Sequence, residues 1–170
     1  MPAPNSTALI DALRAPDGSL DRDAIRTILP YGDAFLFVDR VTHLTADAVE
    51  ATYRVPHDAP YVQAHFRHTP IMPGVLTGEG MAQAGVLLIR YRLDLAADVD
   101  VLVMHVDNAV FSAPAVPCDT LVYKVTLKHA AAYAARLIAR ADVGDRQICS
   151  ARLAVMFVDR ERLRQMTARP

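Results

Sequence analysis

One acidic side chain stands alone in a long apolar stretch. From Gly74 to Ile89 the chain reads Gly-Val-Leu-Thr-Gly-Glu-Gly-Met-Ala-Gln-Ala-Gly-Val-Leu-Leu-Ile, and Glu79 is its only charged residue. An ionised carboxylate in such surroundings is costly unless it is paired, hydrogen-bonded or protonated. Gln83 lies one helical turn later on the same face, so a structural contact between the two is one reading. A proton donor kept for chemistry is the other, because acids in perturbing surroundings gather at reactive sites. Upstream, His65 sits in Gln63-Ala64-His65-Phe66-Arg67-His68-Thr69-Pro70. It is a side chain able to take a proton near neutrality, with a solvated loop histidine as the plain alternative. His65 and His68 also admit a metal reading together with His57. That spacing is common by chance, and no carboxylate or cysteine stands beside it in a ligand pattern, so no metal is expected. The third part is the start of the stretch itself. In a helix beginning here, the N–H groups of Gly74 and Val75 have no intrahelical acceptor, and the dipole behind them favours negative charge. A base, an acid and an anion-stabilising helix start suit proton abstraction beside a carbonyl followed by loss of a leaving group. Helix starts are also buried for structural reasons alone, so this third part supports the other two.

The element that must carry Glu79 is a helix over residues 73–90. Pro73 suits its first position, and Arg90 and Arg92 suit its cation-favouring end. Its apolar residues run nearly all round, which describes a buried helix. Gly74, Gly78, Gly80 and Gly85 each cost about 1 kcal/mol against alanine there, and the expected return is close approach to a sheet or a second helix. Before it, Asp58 to Pro73 reads as a loop. After it the period changes to two, and Val99–Val106, Leu121–Leu127 and Gln147–Phe157 suit strands. Leu121, Tyr123, Val125 and Leu127 face one way, Lys124 and Lys128 the other. Ala130–Asp142 is rich in alanine, yet Arg136 and Arg140 alternate with Leu137 and Ala139. Val143-Gly144-Asp145-Arg146 is a hairpin signal, so both its flanks are read as antiparallel strands. On the N-terminal side, Ser19 or Asp21 caps a short helix through Leu29 that Pro30 stops. The apolar run Phe35–Val41 and the strand-like Val49–Val55 follow. The pattern is an α+β layer fold: a loose leader over 1–18, one domain over 19–160, and a tail over 161–170.

Composition narrows the function classes. The chain has 170 residues, 18 Lys+Arg against 19 Asp+Glu, and 52% hydrophobic residues. That is enough to bury a core without staples. A net charge of -1 gives no basic stripe for nucleic acid. Cys118 and Cys149 form no CxxC, so a reducing compartment is expected. The N-terminus lacks a signal-peptide pattern, and no apolar run approaches the ~20 residues of a membrane span. A soluble cytoplasmic protein is the expectation.

These residues carry a resemblance. His65-Phe66, then Pro70-Ile71-Met72-Pro73-Gly74-Val75-Leu76 and Glu79-Gly80-Met81-Ala82-Gln83, resemble the signature of the FabZ-type 3-hydroxyacyl-[acyl-carrier-protein] dehydratases. Phe35-Leu36-Phe37-Val38-Asp39-Arg40-Val41 is similar to that family's first-strand motif, and Phe111 to Asp119 to its later strand and turn. The resemblance runs from about residue 24 to 158. It implies a hotdog fold, an antiparallel sheet wrapped around the long helix, and a homodimer or a trimer of such dimers. It further implies that His65 removes the α-proton of a 3-hydroxyacyl thioester and that Glu79 of the neighbouring chain protonates the departing hydroxyl. The Gly74 amide, with Val75 beside it, would hold the thioester oxygen, and Phe66, Met72, Pro73 and Gln83 would contact substrate. Carrier protein or coenzyme A would bear the thioester, and no cofactor is needed. Glutamate at 79 and Ala82-Gln83, where FabA-type relatives carry aspartate and Trp-Gln, favour dehydration without double-bond isomerisation, in fatty-acid or polyketide-like biosynthesis.

The chain departs from that pattern at several points. Tyr31 stands in place of a usual histidine, remote from the expected chemistry. Ala64 replaces a glycine, Arg67-His68 replace Pro-Gly, Ser112-Ala113 stand where many members carry a basic pair, and Cys118 replaces a turn glycine. These changes suggest a specialised relative. Two rivals share the fold: an acyl thioesterase, whose helix acid activates water without the histidine, and a non-catalytic acyl-thioester binding protein.

Overall fold

The computed structural model describes residues 5–168; the ends of the expected leader and tail, 1–4 and 169–170, lie outside the described residues. The long helix α4 spans Gly74–Leu93 and is buried continuously from Gly80 to Arg90. This matches its all-round apolar sequence. Pro73 is the residue before its first turn rather than within it. Six antiparallel strands wrap it: β1 (Arg40–Leu44), β2 (Ala48–Arg54), β3 (Val99–Phe111), β4 (Thr120–Ala130), β5 (Ala134–Val143) and β6 (Arg146–Asp159). Their order in the sheet is β1-β2-β4-β5-β6-β3. Close approach of helix to sheet accounts for three of the helix glycines, Gly74 against Phe111 of β3 being one. A Cβ at Gly85 would come within 2.7 Å of Leu137 Cδ1, and one at Gly80 would collide with the Tyr123 hydroxyl. Gly78 differs, since a Cβ there would meet nothing.

The alternation in β5 holds: Ala135, Leu137, Ala139 and Ala141 face the core, while Arg136 and Arg140 face out. The 143–146 turn joins it to β6 with Gly144 at φ +55°, the region a tight hairpin requires. β3 runs further than its apolar signal, to Phe111. Two register shifts against β6 let it curve, as bulges do.

The N-terminal half departs from expectation in three places. Residues 6–13 of the expected loose leader form α1 (Ser6–Leu13), with Ile10 wholly buried. Thr7 Oγ1 donates to the Tyr91 carbonyl at 2.8 Å, and the Asp94 carboxylate accepts from Asn5 Nδ2 and Thr7 N–H at 2.7 and 2.9 Å. These contacts dock α1 on the end of α4. The next helix, α2 (Arg22–Ile28), is capped by Asp21, which accepts from Ala24 N–H at 2.9 Å. The apolar run after it begins as a 3₁₀ turn (Asp33–Phe35), and strand pairing with β2 starts only at Arg40. Within the expected loop before α4, Pro60–Gln63 forms the short helix α3. Arg160–Thr167 of the expected tail forms α5, capped by Asp159. No helix among the described residues is long and apolar enough to cross a membrane.

Candidate active site

Glu79 is on the second turn of α4, and its Oε1 accepts from Gln83 Nε2 at 3.0 Å. Gln83 is wholly buried, and its amide makes three hydrogen bonds. Nε2 also donates to the Phe35 carbonyl at 2.8 Å, and Oε1 accepts from Phe37 N–H at 2.9 Å. This explains why residues 35–37 are not a strand: a helix side chain satisfies their backbone in place of a neighbouring strand. Gln83 thus holds Glu79, and both N–H groups of its amide are spent within the fold.

The Glu79 carboxylate remains in the wall of a cavity of ≈ 400 Å³, where it is the only charged residue among the lining residues. Val75, Gly78, Phe111, Cys149 and Leu153 are among its neighbours there. The open wall beside Gly78 is what its missing Cβ provides. Burial pushes the Cys149 thiol up to about 11, so it stays protonated and serves as wall. One side of the cavity is unclosed: Val75 is 70%, Val106 55% and Phe111 52% exposed.

His65 lies outside that wall. Its N–H donates to the Val62 carbonyl at 3.1 Å and its carbonyl accepts from Ile71 N–H at 2.7 Å, which fixes the loop after α3. Ala64 adopts an ordinary right-handed conformation (φ -83°), so replacing glycine there brings no backbone strain. The imidazole stacks on Phe66 with centroids 4.0 Å apart, and its Nδ1 is buried without a protein partner. One chain therefore does not bring His65 and Glu79 into one cavity. Among the described residues, no group of three His, Cys, Asp or Glu is arranged to hold a metal ion.

The expected anion-holding groups divide between two cavities. The backbone bonds of the first turn begin with Leu76 and Thr77 N–H, both to the Pro73 carbonyl at 2.9 and 3.3 Å. The N–H groups of Gly74 and Val75 thus precede the helical ladder. Val75 lines the Glu79 cavity, whereas Gly74 lines a second one, also ≈ 400 Å³, with Met72 and Ser112. Phe111 belongs to both, and a Cβ at Gly74 would stand 2.7 Å from its Cδ1. Of the other expected substrate contacts, Phe66 is exposed, Met72 is buried in the second cavity's wall, and Pro73 precedes the helix.

Tyr31 lines a further cavity, with Arg90 and Asp100, and not the Glu79 chamber. Its phenol is pushed up to about 12, chiefly by burial and next by the charge of Glu79.

Residues 29–152 match the model of the FabA-like domain. A 3-hydroxyacyl-[acyl-carrier-protein] dehydratase FabZ from Sulfurovum sp. (strain NBC37-1) is 39% identical over 142 residues, covering 80% of this chain and 95% of that protein. Among solved structures, the dehydratase heterocomplex ApeI:P from Xenorhabdus doucetiae contains a chain similar at TM-score 0.72 and 14% identity, over 85% of this chain and 97% of that one. The fluoroacetyl-CoA thioesterase FlK is similar at TM-score 0.60 and 15% identity, over 71% and 95%. At these identities the structures speak for a shared hotdog fold and not for a reaction.

Proposed function

The chain belongs to the FabZ-type 3-hydroxyacyl-[acyl-carrier-protein] dehydratase family, within the FabA-like hotdog domains, and we propose that it dehydrates a 3-hydroxyacyl thioester with His65 as base and Glu79 of a second copy as acid. His65 takes the proton from C2, and the electron pair moves toward the thioester carbonyl. The charge growing on that oxygen is met by the Gly74 N–H at the positive end of α4. The pair then returns to form the C2–C3 double bond as the C3 hydroxyl leaves with a proton from Glu79. The products are the trans-2-enoyl thioester and water, and proton return from His65 to Glu79 resets the site. No electron acceptor is required.

The observation that carries this reading is Glu79 itself: a single carboxylate, oriented by Gln83, in an otherwise uncharged chamber with one open side. That side is the outer edge of the sheet. β3 is its last strand and exposes Val103, Met104, Val106, Val110 and Phe111. A long apolar edge is a template for pairing. A second copy paired there would close the chamber and supply the missing histidine, giving a homodimer or a trimer of such dimers. Carrier protein bears the acyl group in the relatives' name, and we extend it to this chain with coenzyme A as the alternative handle.

The test is turnover of short and medium 3-hydroxyacyl thioesters, on carrier protein and on a pantetheine mimic, with the product identified by mass. Enoyl product that disappears in His65→Ala and Glu79→Gln supports the assignment. Free acid means a thioesterase, and binding without product means an acyl-thioester binding protein.

A further inference from the structure

The second cavity at the start of α4 contains a polar group for which the fold has no use. Thr77 is 0% exposed, lines that cavity, and its Oγ1 has no hydrogen-bond partner. A buried hydroxyl left unpaired costs stability that a methyl group of the same shape would not. Its position gives it a companion. Thr77 follows Gly74 by three residues, so the two share a face of α4. Helical side chains lean toward the N-terminus. The hydroxyl is therefore carried toward the side where the Gly74 N–H lies ahead of the helical ladder. Neither donor is matched by an acid, since the remaining lining, including Met72, Phe111, Ser112 and Ile148, is uncharged. Uncharged donors at the positive end of a helix complement an acceptor oxygen. A carbonyl is a neutral group that offers one. Phe111 stands between this cavity and the Glu79 chamber, so a chain passing it would reach both.

We propose that the cavity at Thr77 binds the carbonyl-bearing arm of the thioester substrate, with Thr77 Oγ1–H donating to a carbonyl oxygen beside the one held by Gly74 N–H. This rests on the dehydratase reading and deepens it: the acyl chain lies on the Glu79 side of Phe111 and the amide-bearing arm on the Thr77 side. Thr77 is thus a substrate-binding residue whose unpaired hydroxyl is retained for a ligand at the expense of stability.

The experiment uses the full chain and a saturated medium-chain acyl pantetheine amide, which can be neither dehydrated nor hydrolysed as a thioester. Its affinity is measured by calorimetric titration for wild type, Thr77→Val and Thr77→Ser, alongside each melting temperature. The expected result is binding about tenfold weaker in Thr77→Val, near-wild-type binding in Thr77→Ser, and a Thr77→Val melting temperature equal to or above wild type. Equal affinity for wild type and Thr77→Val overturns the proposal, and the hydroxyl then serves water alone. Absence of binding to wild type overturns it too. A clear fall in Thr77→Val stability also does so, because the hydroxyl then has a partner within the fold. Turnover by wild type separates the two readings. Thr77-dependent binding without enoyl product keeps this site and removes the dehydratase assignment. Enoyl product with Thr77-independent binding does the reverse.

Discussion

Replacing Gln83 by leucine tests whether one buried amide ties the acid to the fold. The side chain makes three bonds, to Phe37 N–H, the Phe35 carbonyl and Glu79, at 2.9, 2.8 and 3.0 Å. Phe37 is 1% exposed, so its N–H would be left without a partner, at about 1–3 kcal/mol. Phe35 is 47% exposed, and water can replace the bond to its carbonyl at little cost. Glu79 borders a cavity and can likewise be rehydrated. Leucine recovers a fraction of a kcal/mol through apolar burial. The net expectation is a loss of about 2 kcal/mol, or roughly 4–8 °C in Tm for a chain of this size. Urea denaturation at matched protein concentration measures it, since association shifts apparent stability. Turnover should fall as well, because the carboxylate loses its orienting donor. A Gln83→Leu protein with unchanged midpoint and unchanged turnover would refute the claim that this residue joins residues 35–37 to the acid.

Cys118 has φ +71° in the Val116–Asp119 turn, where Asp119 N–H donates to the Val116 carbonyl at 3.0 Å. Cys118→Gly should therefore stabilise the protein by about 1 kcal/mol, read from the same urea midpoint; a loss of stability would contradict it. The two thiols should differ in reactivity. Exposed Cys118 should react with a thiol reagent at once, and buried Cys149 only after denaturation. Two equally fast thiols would contradict the burial. Hydrogen bonds from Thr7 and Asn5 hold the Asp94 carboxyl below its ordinary 3.8. A depressed folded value means the docking contribution is present above about pH 4 and lost as pH falls through that value. Amide exchange in Ser6–Leu13 should rise selectively on acidification, and protection that falls there only together with that of the rest of the fold would count against the link.

Much of the scaffold could be read directly because its signals are local. The all-round apolar stretch from Gly80 to Arg90, the alternation of Arg136 and Arg140 with Leu137 and Ala139, and the Gly144 turn each reflect a backbone period or a special φ. What could not be read depends on partners distant in sequence. Pro16 and Gly18 make the N-terminus look loose, yet α1 is held by Tyr91 and Asp94. Phe35–Phe37 looks like a strand, yet Gln83 takes its hydrogen bonds. In the site, Glu79 and Gln83 were legible as a pair on one helix face. Thr77 carries no local signal, and only its surroundings in the fold show an unpaired hydroxyl.

The central claim is that one active site takes its base from one chain and its acid from another. Co-folding inactive His65→Ala chains with inactive Glu79→Gln chains tests it most directly. In a mixed dimer one site combines the intact His65 of one chain with the intact Glu79 of the other, while the second site lacks both. Random mixing in equal amounts makes half of the dimers mixed, so about a quarter of wild-type sites should be restored in a twofold assembly. Enoyl formation returning to about that level is the predicted result. Mixed dimers, verified by native mass spectrometry, that remain inactive would contradict it.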